Sequence, residues 1–489
     1  MEQIFNPYLP LTEHIPDGEP HLFNGRVYIY GSHDIAGGSR YCEDHYVTWS
    51  APEDDLRNWR CEGVIYRRTQ DPSNADDRLQ LWAPDVTQGP DGRYYLYYCY
   101  SFRPEIGVAV SGSPAGPFEF YGHVKHRDGT TLTEMMPFDP AVLTDDDGRV
   151  FLYYGFAPGG DKNMGLSGPE DPERMNTGKK AKGSGLLSGI TFGKNSVCVE
   201  LEQDMLTCKE APHWLIPGEW NTKGTGFEGH GFFEASSIRK IKGKYVFVYS
   251  SHKSHELCYA VSDRPDRDYV YGGTIVSNGD IGMNGQTAAT NVVGNNHGGI
   301  LEAGGEYYIF YHRQTNGTEF SRQGCAEKIR ITDDLKISQV EITSQGLNGK
   351  ALRGEGSYPA AILCYNVCPT TRTLIDYADP VMKTQTRITE AQNTVYVTDI
   401  ADGSVLGYRY FDLRKTSELQ LEVRGAFSGT VSVSTDAEGK TMLGAEKLTV
   451  NDDGWCIRKI RLERAGENSA VYLKFEGEGK LDLKTLIFS

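Results

Sequence analysis

The stretch DGRYYLYYC, Asp91 to Cys99, runs from a turn glycine into six residues that carry no charge. A strand with one wet face alternates apolar and polar residues, and this one does not, so it reads as a strand buried between neighbouring sheets. Four other stretches share the pattern: NGRVYIYGS at Gly25, DGRVFLYYG at Gly148, KGKYVFVYS at Gly243 and GGEYYIFYH at Gly305. Each reads as the second arm of a hairpin, because Asn-Gly, Asp-Gly or Gly-Gly supplies the positive φ of a tight turn. The glycines are 67, 56, 95 and 62 residues apart, room for about four short strands each. Five such sheets set radially predict a five-bladed β-propeller over residues 1–370, its inner strands lining a central channel.

Just upstream of each turn stands one polar residue: Asp17, Asp85, Asp139, Glu234 and His297, seven to nine positions before its glycine. A shared axial site follows if the blades are equivalent. Carboxylates converging on one hollow suit glycosidic cleavage, in which one acid protonates the departing oxygen while another activates water. In GFFEASS, Gly231 to Ser237, the phenylalanines before Glu234 would keep it partly dry and raise its pKa, making it the candidate proton donor.

These segments together resemble glycoside hydrolase family 43, five-bladed propellers that mostly remove arabinofuranosyl or xylosyl units with inversion. IPDGEPHLFNGRVYIYGSHD resembles the first-blade segment, which implies Asp17 as general base; PFDPAVLTDDDGRVFLYYG implies Asp139 as the residue orienting the acid, and FFEASSIRKIKGKYVFVYSS implies Glu234 as the acid. LWAPDV resembles the second-blade signature whose tryptophan, here Trp82, walls the sugar pocket. NNHGGI implies that His297 sits in the channel near a bound water or calcium ion, and SRQGCAEKIR that Arg322 reaches the sugar site. The first-blade text is PDGEP where many members carry Asp-Pro, so Glu19 competes with Asp17 for the base; counting back from Phe23 favours Asp17. His33 and His230 are further candidates for substrate contact, each with a strand-end structural role as its alternative.

Other patterns carry blander readings. GTGFEG (Gly224 to Gly229) fits a dinucleotide fingerprint but leads into an aromatic strand, so it reads as a loop. Asp145 to Asp147 reads as a hairpin turn, and His252 with His255 lacks a third metal ligand. The glycine- and charge-rich run from Gly159 to Gly185 reads as an exposed loop.

From about residue 376 the repeat gives way to short alternating segments such as NTVYVTDI, ELQLEVRG and AVYLKFEG, which predict an antiparallel β-sandwich over 376–489. It resembles, more loosely, the family 6 carbohydrate-binding modules often joined to family 43 propellers; Trp455 is its one tryptophan.

A net charge of −16, from 50 basic and 66 acidic residues, argues against nucleic acid or an anionic membrane as partner. The opening MEQIFNPYLPL lacks a basic segment followed by an apolar run, so the chain reads as cytoplasmic, or as a secreted protein whose leader is gone. Ten scattered cysteines read as buried reduced thiols. The expected protein is an all-β, exo-acting inverting glycosidase for α-L-arabinofuranosyl or β-D-xylosyl units of small oligosaccharides, needing no cofactor for its chemistry. A propeller enzyme for another sugar, such as a galactofuranoside or a fructoside, and a silent sugar-binding protein are the alternatives.

Overall fold

The computed structural model describes residues 4–101, 103–158, 193–369 and 380–489; the predicted loop from Gly159 to Gly185 lies outside them. The five hairpins form where the sequence places them. Gly25, Gly92, Gly148, Gly243 and Gly305 have φ between 74° and 83°, a left-handed conformation that side chains resist. The inner strands are Glu19–Phe23, Leu81–Gln88, Ala141–Thr144, Phe232–Ile241 and Ile300–Ala303, each paired antiparallel with the strand after its turn. The first four blades have four strands and the fifth has three among the described residues.

DGRYYLYYC shows why the blades stack. Tyr94, Leu96, Tyr98 and Tyr100 pack with Tyr28, Tyr30 and Tyr66 of the first blade. Tyr95 and Tyr97 point the other way, to Val142, Leu152 and Val197 of the third. Side chains alternate across a strand, so an unbroken aromatic run supplies two apolar faces at once. Equivalent layers join the third blade to the fourth, the fourth to the fifth and the fifth to the first.

The ring closes through a parallel bridge between Gly18 and Gly298. The amino-terminal segment then seals the seam: Ile4, Tyr8, Leu9 and Ile15 insert between Val27 and Ile29 of the first blade and Phe310 and Ala326 of the fifth. Asn6 is buried there, its amide donating to the carbonyls of Ala326 and Thr343 and accepting from Ala326 N–H.

The carboxy-terminal domain is one hydrogen-bonded network wrapped around a single apolar core. Ser469–Phe488 pairs from Tyr472 onward with Glu418–Ser434. On its other edge it meets Val405–Asp412, Thr394–Ile400 and Gly356–Pro359 in turn, and the change of partner curves the sheet. Where the long strands bend, Gly429 crosses Gly477 so closely that a Cβ on Gly429 would lie 2.2 Å from the Glu476 carbonyl oxygen. One correction to the sequence reading concerns the boundary. Leu352–Arg353, Gly356–Pro359 and Tyr365–Val367 hydrogen-bond into this sheet although residues up to 370 were assigned to the propeller. Strands of two to four residues carry no alternation to read.

Eight of the ten cysteines are buried. Among the described residues no helix is long and apolar enough to cross a membrane.

Candidate active site

Three acids from three blades come together, two of them on unusual backbone and the third directly before a residue that is. Asp17 has φ 55° and Asp139 φ 46°; Ala235, directly after Glu234, has φ 65°. Non-glycine residues in this region store strain, which concentrates at functional sites. The fourth-blade strand bulges here, its register slipping between Phe232 and Glu234 and again before Ser237. A bulge re-aims a side chain, and this one frees the Ala235 N–H to donate to Asp139 Oδ2 at 3.1 Å. Asp139 therefore holds the backbone that presents Glu234.

Arg322 anchors the first-blade side. It is 2% exposed. Its Nη1 donates to Asp17 Oδ1 at 2.9 Å, while Nε and Nη2 donate to the two oxygens of Asp34 at 2.8 and 3.0 Å. The guanidinium also lies 4.8 Å from the Tyr41 ring centroid. His312 lies behind Asp17: its Nδ1 accepts the Asp17 N–H at 3.3 Å and its Nε2 donates to the Asn295 carbonyl at 2.7 Å. Burial lowers the His312 pKa to about 3, which keeps this imidazole neutral.

The same elements drive the acids apart. Burial is the largest influence on the Asp17 carboxyl and raises it, but the Arg322 guanidinium together with His312, His297 and Ser32 outweighs it and holds the group below the ordinary aspartate range. Glu234 is raised to about 8 by burial and then by the Asp17 charge, with Glu319 adding to it. Asp139 is raised well above its ordinary value by burial and then by Glu234. Asp17 is thus biased toward its ionised form and Glu234 toward its protonated form.

An aromatic collar surrounds them. Trp82, Phe138, Phe156 and Phe233 form one apolar cluster with Tyr41 against it. Trp82 meets Phe138 edge-on at 5.5 Å, Phe156 packs 5.2 Å from Phe233, and Tyr41 lies 4.8 Å from Phe320. Of the two phenylalanines in GFFEASS, Phe233 joins this wall and Phe232 goes to the layer between blades.

The axial residues lie deeper. His297 has its Nδ1 3.7 Å from Asp139 Oδ2 and its Nε2 3.8 Å from Glu19 Oε1. That Nε2 and Glu19 Oε1 are both buried without a hydrogen-bond partner, a gap that suits a bridging water. Calcium fits poorly. It wants six to eight oxygens, and the Arg239 guanidinium stands 2.8 Å from Glu19 Oε2. Glu19 is held by Arg239 and Ser237, whereas Asp17 faces Arg322 and Glu234. Asp85 is also axial but is occupied by His21 at 2.6 Å and the Val142 N–H.

The two histidines expected near substrate are held by acids instead of facing the carboxylate cluster directly. His33 pairs with Glu13 at 3.0 Å and with the His45 carbonyl, outside the carboxylate cluster. His230, just before the inner strand of the fourth blade, turns outward to pair with Glu256 at 2.7 Å and stack on Tyr271 at 5.0 Å, on the third and fourth strands of that blade. His252 pairs with Glu219 and His255 with Ser277, GTGFEG is a loop, and Asp145 to Asp147 is a hairpin turn tied down by Lys240. Trp455 holds the Arg424 guanidinium 4.5 Å and the Lys484 ammonium 5.4 Å from its ring centroids, so its faces serve cation contacts within the domain.

The sequence profile described as Glycosyl hydrolases family 43 matches residues 24–336, which takes in Asp139, Glu234 and Arg322. The chain belongs to this family. Within family 43 it is 44% identical over 498 residues to a xylosidase/arabinosidase of Thermoclostridium stercorarium, covering 99% of this chain and 98% of that protein. A xylosidase/arabinosidase of Bacteroides ovatus is 32% identical over 320 residues, or 62% of this chain and 87% of the other. Among solved structures, the GH43 enzyme of Xanthomonas citri in complex with xylose aligns with a TM-score of 0.51 at 23% identity. It covers 71% of this chain and 96% of that one, a likeness that bears on the fold.

Proposed function

We propose that this family 43 glycosidase removes single α-L-arabinofuranosyl or β-D-xylosyl units from the ends of small plant cell-wall oligosaccharides, with inversion. The full-length similarity to a xylosidase/arabinosidase supports the sugar class. The observation that carries the chemistry is the pairing of Asp17 with the Arg322 guanidinium at 2.9 Å, which favours its ionised form, while Glu234 is buried beside that charge with no such partner of its own among the described residues and is raised.

In this reading a water beside ionised Asp17 gives up a proton to that carboxylate as its oxygen bonds to the anomeric carbon. Glu234 delivers its proton to the glycosidic oxygen as that bond breaks. Asp17 ends protonated and Glu234 ionised, and exchange with solvent restores both. Asp139 acts through Glu234, fixing its backbone and discouraging its early ionisation. Trp82 and the collar exclude water and offer ring surface to the apolar face of the sugar. His297 is a channel residue whose reach to the sugar is indirect, through Asp139.

The test is a panel of aryl α-L-arabinofuranosides and β-D-xylopyranosides with the product anomer read by proton NMR. Turnover of at least one with inverted configuration is expected. Absence of turnover across the panel, or retention, overturns the reading.

Arg322→Lys is expected to lower kcat/KM about 100-fold, about 2.7 kcal/mol of transition-state stabilisation, because an ammonium cannot span Asp17 and Asp34 together. The acid limb of the pH profile should move up as Asp17 loses its partner. An unchanged limb would remove Arg322 as the group that keeps the base ionised.

A further inference from the structure

A groove of about 870 Å³ lies between the two domains, apart from the catalytic acids, and its size falls in the usual range for ligand sites. The propeller contributes Asp280, the turn at Met283–Gly285 and Glu341; the second domain contributes Tyr365, Arg409, Tyr410 and the loops at 435–441 and 464–470. Its floor is fixed. Buried Arg409 donates to Asp280 at 2.8 Å, lies 2.8 Å from Glu341, and donates from Nε to the Tyr472 hydroxyl at 3.1 Å. Tyr410 donates to Glu341, and Tyr365 sets its ring 5.3 Å from that of Tyr472. Such a floor costs little ordering when a ligand binds.

The lining chemistry selects the ligand. Four carboxylates, Asp280, Glu341, Asp436 and Glu438, face two guanidinium groups, Arg409 and Arg464, so anions are disfavoured. Asp280 and Glu341 are already balanced by Arg409, and Asp436 accepts the N–H groups of Lys440 and Thr441, which leaves little for a free cation. Mixed donors and acceptors beside half-buried tyrosine rings suit a neutral polyol.

The groove's propeller wall follows on from the outermost strand of the fourth blade, the blade that carries Glu234. Glu234 pairs with Ser250, Ser250 with Leu257, and Glu256 with Ser277, three residues before Asp280. Three strand spacings of about 4.8 Å put Ser277 roughly 15 Å across the blade from the acid's strand, and the groove begins beyond it.

We propose that this groove is a second, non-catalytic carbohydrate site that takes a neutral pentose oligosaccharide at a point remote from the cleaved bond. It rests on the substrate class proposed above. Titration of Glu234→Gln protein with linear xylotetraose is expected to show two binding steps by calorimetry. In Glu234→Gln/Ala437→Trp protein, where an indole fills the groove, one step should remain. Arg464→Ala in the same background, a change at an exposed residue, should weaken the second step about tenfold. In otherwise unaltered enzyme, Ala437→Trp should lower the ratio of kcat/KM for xylohexaose to that for an aryl xyloside several-fold. A single step in Glu234→Gln protein, or two steps that survive both groove substitutions, overturns the proposal. Failure of the unaltered enzyme on every aryl pentoside would instead refute the proposed activity, so the two failures are distinct.

Discussion

Asp17→Asn is expected to lower kcat by about 10³- to 10⁴-fold on every substrate, whatever its leaving group, because no other ionised carboxylate faces the attacking water. The substitution keeps the side chain's shape and one acceptor for Arg322, which now donates to Asp17 at 2.9 Å, so folding should be preserved. The uncharged amide cannot take the proton that water must lose. Kinetics on oligosaccharides and on aryl glycosides with good leaving groups should show equal losses. Glu19→Gln is the control: Glu19 is held by Arg239 and Ser237, so its loss should cost far less. Near-normal turnover by Asp17→Asn would pass the base assignment elsewhere.

The second large effect is at Glu234, and it depends on the leaving group. Glu234→Gln should cost about 10²- to 10⁴-fold on oligosaccharides, whose departing hydroxyl needs a proton. An aryl glycoside that releases an acidic phenol should lose much less, since its oxygen leaves as the anion. In unaltered enzyme the rate should fall as pH rises through about 8, where Glu234 gives up its proton, and fall at low pH as Asp17 gains one below the ordinary aspartate range. Glu234→Gln should abolish the alkaline limb. Equal losses on both substrate types, with that limb intact, would mean that Glu234 donates no proton.

The blades were legible because their determinants are local. Each hairpin needs a residue at positive φ and each following strand needs two apolar faces, so glycine followed by an aromatic run marks both. The acids were legible by their distance from those turns, although the same count also selected Asp85, which His21 occupies lower in the channel. Counting measures depth along a strand and says nothing of partners. The Asp34 clamp was missed for a related reason. In YGSHD the eye goes to His33, yet period-two alternation puts Ser32 and Asp34 on the opposite face, and that face meets Asp17 and Arg322. Such alternation could have found it. The bulge at Glu234 could not be read, because it depends on Asp139, nearly a hundred residues earlier, accepting the Ala235 N–H. Nor could the collar's outer members Tyr41 and Phe320, which sit on loops whose course is set by tertiary contacts.

Site-specific titration of the Glu234 carboxyl in the intact protein tests the central claim most directly, for example by carbon-13 NMR or infrared difference spectroscopy with Glu234→Gln as the reference. A midpoint near 8 with Asp17 ionised throughout the neutral range is the predicted result. A Glu234 midpoint in the ordinary range of about 4 to 5 would contradict the account, for the acid would then hold no proton to give at neutral pH.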